Sequence, residues 1–108
     1  MVIVVFRARI RPEVETEYYR RAEEMARIAR SLPGFISYKS YTAPDGERVS
    51  IHEWETAEQL RAGRTYPEHV AMQDYGRRNF YEEYILYVMD APRESRFTRS
   101  AAGAAAGS

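Results

Sequence analysis

Two histidines, one tryptophan and a handful of arginines and tyrosines are the side chains of this 108-residue sequence best equipped for chemistry. His52 and Trp54 stand two residues apart in a segment that reads as a strand, so they share a face with Ser50 while Val49, Ile51 and Glu53 point the other way. An imidazole beside an indole can serve as a general base near neutral pH; the competing reading of a mid-strand histidine is a hydrogen-bonded filler. His69 falls in the first turn of an expected helix, where the dipole keeps the ring neutral and able to accept a proton or bind haem iron. Its alternative is a capping position with an exposed ring. Arg7 and Arg9 share one face of the first strand, opposite Phe6, Ala8 and Ile10. Aimed into a pocket, Arg7 would stabilise a phenolate or enolate oxygen; otherwise it is a solvated surface cation. Tyr38, Tyr81, Tyr84 and Tyr87 can stack on a planar aromatic ligand or build a subunit interface.

Composition narrows the chemistry further. The chain has no cysteine, which removes disulfides and thiolate metal centres. Sixteen basic and sixteen acidic residues cancel, which argues against a dedicated nucleic-acid binder. The sequence contains no Gly-rich phosphate loop, G-x-S-x-G elbow, H-E-x-x-H pair, calcium- or magnesium-type acidic cluster, or nucleotide fingerprint. No apolar run approaches the ~18–20 residues that span a bilayer, so the expectation is a cytoplasmic protein without a membrane partner. Imidazole, phenol, indole and guanidinium groups are left to do the work.

The elements that must position them follow from periodicity. Residues 2–10 begin as a β-branched run and turn into alternation, which reads as a strand closed by Pro12. Over residues 13–32 the apolar positions Val14, Tyr18, Ala22, Met25, Ala29 and Leu32 form one helical face, and Pro33-Gly34 stops the helix. Residues 35–42 and 48–55, joined by Ala43-Pro44-Asp45-Gly46-Glu47, make a hairpin. Thr56-Ala57-Glu58-Gln59 is a capping box that opens a short helix, and Thr65-Tyr66-Pro67-Glu68 repeats the pattern before a helical piece expected over residues 67–77. Residues 84–89 form the last strand, ended by Pro92.

Strand, helix, strand, strand, helix, strand defines an α+β, ferredoxin-like βαββαβ plait with an antiparallel sheet and both helices on one face. The folded domain is expected over residues 1–92, with residues 93–108 a flexible tail. So small a domain leaves one sheet face bare, and a second copy packed there is the simplest cover, hence a homodimer.

Three stretches add a resemblance. Leu32-Pro33-Gly34-Phe35, His52-Glu53-Trp54-Glu55-Thr56-Ala57-Glu58-Gln59-Leu60 and Tyr66-Pro67-Glu68-His69, in that order and spacing, resemble the antibiotic biosynthesis monooxygenase family of dimeric α+β barrels. The resemblance implies a small oxygenase that oxidises an aromatic or polyketide-like molecule with dioxygen and needs no cofactor. It also implies that Trp54, ahead of Glu55-Thr56, lies in the substrate cavity rather than serving only as core. On that reading His52 or His69 deprotonates an electron-rich phenol or anthrone, Arg7 or a tyrosine hydroxyl holds the anion, and Tyr38, Tyr81 and Tyr84 line the site. Two alternatives stay open: a haem protein of the same fold with His69 as axial ligand, and a non-catalytic metabolite binder or cyclase-like protein. Haem-degrading relatives carry Asn, Trp and His where this chain has Phe6, Gly63 and Gln73, which argues against haem breakdown by their mechanism.

Overall fold

The computed structural model describes residues 1–100 and 103–105. Strand β1 (Val2–Ile10) leads through a single 3-10 turn (Pro12–Val14) into helix α1 (Glu15–Ala29). The hairpin β2 (Phe35–Thr42) and β3 (Arg48–Trp54) follows, then helices α2 (Ala57–Arg64) and α3 (Pro67–Asn79), and strand β4 (Tyr81–Asp90). The sheet order is β2-β3-β1-β4 with every pairing antiparallel. This is the expected α+β ferredoxin-like plait, with the second helix broken into two.

Local chemistry explains the joints. α1 carries the Glu17–Arg21 ion pair at 3.1 Å on its outer face and buries Tyr18 and Ala26 on its inner one. Its exit needs Gly34, which sits at φ +83° in the left-handed region. The Gly34 carbonyl then accepts from the Glu55 N–H at 2.8 Å, tying the end of α1 to the end of β3 and fixing Trp54 beside that joint. Thr56 caps α2 by accepting from the Gln59 N–H at 3.1 Å, as the sequence predicts. The second capping box does not form. The Thr65 hydroxyl instead donates back to the Arg61 carbonyl at 3.0 Å, closing α2, and α3 starts from an uncapped Tyr66 with Pro67 in its first turn.

The core is one-sided. Val2, Val4, Trp54 and Leu60 are buried together, with Ala29, Leu32, Phe35 and Ala57 packed around them. Alternation puts Ser50, His52 and Trp54 of β3 on this helix-covered face. The opposite face carries Ile3, Val5 and Arg7 of β1, paired across to Met89, Tyr87 and Ile85 of β4, and no helix covers it. β4 is exposed along most of its length. Beyond Asp90 the chain turns at Ala91, whose φ is 50° and whose N–H donates to the Met1 carbonyl at 2.9 Å. Within the expected tail, Thr98–Ser100 (β5) and Gly103–Ala105 (β6) pair antiparallel. Ladder bonds come from the backbone, which small residues such as Gly and Ala supply as well as large ones.

Candidate functional site

Between the helix-covered face and the helices lies a cavity of about 230 Å³. Its floor is the inward face of β1 and β3, from Val4 and Phe6 to Ser50, His52 and Trp54, and its roof is α1, with Ala22, Met25 and Ala29. Strand register gives it two ends. His52 lies opposite Val4, and Trp54 opposite Val2; Phe6 lies opposite Ser50 on one side and Leu86 on the other. The first end is nitrogen-rich and the second aromatic.

At the nitrogen-rich end α2 contributes Leu60, Gly63 and Arg64, and α3 contributes His69, Met72 and Gln73. Trp54 is only 3% exposed. Its benzo ring fills the space a side chain at residue 63 would take, since a Cβ on Gly63 would stand 2.9 Å from the indole Cη2. Phe35 meets the same indole edge-on at 5.6 Å. The Trp54 Nε1–H donates to Nδ1 of His52 at 3.0 Å. Burial, with the His69 ring and the Arg64 guanidinium as smaller contributions, pulls the His52 pKa down to about 4. His69 is lowered too, by burial first and Arg64 second. Both imidazoles are therefore neutral at pH 7, and each retains a lone pair.

At the aromatic end the rings touch in sequence. Phe6 meets Tyr81 at 5.4 Å and Tyr84 at 5.2 Å, and Tyr18 meets Tyr81 edge-on at 5.8 Å. Burial raises the Tyr18 phenol to about 12 and raises Tyr81 as well, so both stay protonated donors across the working range. Tyr38 joins from β2, with its ring 6.2 Å from that of His52.

The structure brings together His52, Trp54, His69, Tyr38, Tyr81 and Tyr84 on one cavity. Arg7 is not among them. Its side chain lies on the opposite face of the sheet, where it donates from Nε and Nη2 to the Glu47 carboxylate at 3.2 and 3.0 Å. Phe6 faces inward, so its neighbour in the strand faces outward; the guanidinium expected in the pocket is a surface ion pair. Tyr87, paired with Val5, lies on that same outer face. Arg64 takes the cavity position intended for Arg7, and sequence reasoning missed it. The available signal was its place at the end of a helix that leads, through one turn, into the helix bearing His69. Tyr18, expected only on a helix face, also lines the cavity.

The cavity volume is below the ~300–1,000 Å³ typical of drug-sized ligand sites, small for a tetrapyrrole, although His69, the axial ligand the haem alternative needs, does line it. Among the described residues no cluster of three or more His, Cys, Asp or Glu side chains is placed to hold a metal ion.

A four-stranded antiparallel sheet with helices on one face and an apolar cavity between the two layers places the chain among the α+β ferredoxin-like plaits. Residues 1–75 match the family model described as antibiotic biosynthesis monooxygenase, and the chain belongs to that family. The chain is 30% identical over 88 residues to the uncharacterised protein YqjZ of Bacillus subtilis strain 168, an alignment covering 82% of this chain and 77% of that one. Among solved structures it is similar to Rv0793 of Mycobacterium tuberculosis, with TM-score 0.77, 21% identity, and 86% and 96% of the two chains covered. It is also similar to SnoaB, a cofactor-independent oxygenase of Streptomyces nogalater, with TM-score 0.74, 17% identity, and 86% and 94% covered. At these identities the solved structures establish the shared fold. No helix among the described residues is long and apolar enough to cross a membrane.

Proposed function

We propose that this protein is a monooxygenase-type enzyme that oxidises a small, electron-rich phenol to a quinone with dioxygen and without a cofactor. The observation that carries the reading is an apolar cavity with two neutral imidazoles and a guanidinium at one end. Family membership and the likeness to SnoaB support it. Without a bound redox group the substrate must supply the electrons, and a phenolate is a far better reductant than a phenol. The task of the protein is to make and hold that anion away from water.

The proton passes to an imidazole of the His52 and His69 pair, and Arg64 offsets the charge left on oxygen. The phenolate gives one electron to dioxygen; the resulting phenoxyl radical and superoxide combine, forming a C–O bond and taking up the proton as a hydroperoxide. Loss of the ring C–H proton then breaks the O–O bond. One oxygen atom stays as the new quinone carbonyl, and the other leaves as water with the phenolic and ring hydrogens. Phe6, Tyr81 and Tyr84 stack on the ring, and Tyr38 closes the side of the cavity.

A cavity of about 230 Å³ favours a substrate of one or two fused rings over the three of an anthrone. The uncovered sheet face, with Ile51, Ile85 and Tyr87 more than a third exposed, is the surface on which a second copy would pack to give a homodimer. Oxygen uptake with a panel of one-, two- and three-ring phenols, 1-naphthol and anthrone among them, tests the proposal. One dioxygen consumed per quinone formed with the smaller members supports it. Binding of the same compounds with no oxygen consumed would leave a metabolite binder instead.

A further inference from the structure

His52 and His69 have so far been treated as equivalent, and the contact between Trp54 and His52 makes them different. An indole N–H is a donor only, so the nitrogen it meets must offer a lone pair. Nδ1 of His52 receives that donor at 3.0 Å. A neutral imidazole whose Nδ1 accepts carries its one proton on Nε2. Nε2 is also the nitrogen farther from the strand, it has no hydrogen bond to protein among the described residues, and the ring lines the cavity.

The indole cannot turn away to release the ring. It is buried, its six-membered ring lies against the bare backbone of Gly63, and Phe35 packs on its edge. Protonating Nδ1 would set two donors face to face inside a largely apolar site, a cost that no nearby carboxylate relieves. The groups that face His52 from the other elements are Tyr38 of β2, Arg64 of α2 and His69 of α3, and none of them is a carboxylate.

We infer that Trp54 is a positioning residue that locks His52 in its Nε2–H form, so that His52 donates to the substrate oxygen and His69 alone takes the proton. This division of labour rests on the phenol-oxidation reading, but the tautomer itself does not, and it can be observed without any substrate. In the pair, His52 supplies a fixed hydrogen bond to charge as it develops, and His69 supplies the lone pair that accepts the proton.

Long-range nitrogen–proton correlation spectra of the imidazoles in the ligand-free protein at neutral pH read the tautomer directly. The wild type is expected to show His52 as a single Nε2–H species. Trp54→Phe keeps the ring bulk and removes the N–H, and is expected to give a mixture of both tautomers. A His52 protonated on Nδ1 in the wild type, or charged there, overturns the inference. So does a Trp54→Phe protein whose His52 remains wholly Nε2–H. The wild-type spectrum decides even if the variant fails to fold, and absence of oxygenase activity would leave a correct tautomer standing.

Discussion

The two faces of the four-stranded sheet solve the problem of polar groups in opposite ways. On the outer face guanidinium groups meet carboxylates near the edge of the sheet: Arg7 with Glu47, and Arg9 with Asp45 at 2.9 Å. There Arg7 grips Glu47 through two parallel bonds in a partly buried pair, while the Arg9 bond to Asp45 is exposed to screening water and worth little. On the inner face two imidazoles and an indole meet with no carboxylate between them, and burial keeps the imidazoles neutral. Within β1 the same alternation sends Phe6 to the inner face and Arg7 to the outer one. One step along a strand therefore separates a cavity wall from a surface ion pair.

That contrast can be broken most severely on the inner face. His52→Ala removes a donor aimed at a developing anion, and turnover of a naphthol is expected to fall by about 10²–10³. His52→Gln restores an N–H donor without restoring a base, so it should recover to within about tenfold of wild type. Equal loss in the two variants would mean that His52 acts by accepting a proton. Acid unfolding should sharpen the contrast next. A histidine whose folded pKa is depressed resists protonation in the native state, while the unfolded chain binds the proton at its ordinary value. Stability is thus fully present above about pH 7 and falls as pH drops from about 6.5 towards about 4, by on the order of 3 kcal/mol for His52 alone. Denaturant titrations across that window check this, and His52→Gln should flatten the slope. The smallest effect belongs to the outer face: Arg7→Ala should leave turnover within about twofold of wild type, because its partly buried pair with Glu47 lies on the sheet face opposite the cavity.

Much of this arrangement was legible in the sequence. Alternation alone put Ser50, His52 and Trp54 on one face, Pro33-Gly34 marked the end of α1, and Thr56 with Gln59 marked the start of α2. Repeating the box logic at Thr65 failed because a hydroxyl there has two backbone suitors, and the open carbonyls at the end of α2 won over the amides of α3. Alternation also separated Arg7 from Phe6, but it could not say which of the two looked at the helices. That depends on strand neighbours far away in the chain, which bury Val2 and Val4 with Trp54. Arg64 escaped notice for a related reason: its role comes from the space between two helices. The bond from Trp54 to His52 was within reach of the i,i+2 spacing, but only a rotamer reveals it.

The proposed phenol oxidation requires His69 as the group that takes the proton in the inner cavity. Oxygen consumption by metal-chelated protein with 1-naphthol, measured in parallel for wild type and His69→Ala, tests this most directly. A loss of about 10²–10⁴ with naphthol binding retained is the predicted result. Oxygen uptake by His69→Ala within about twofold of wild type would contradict it.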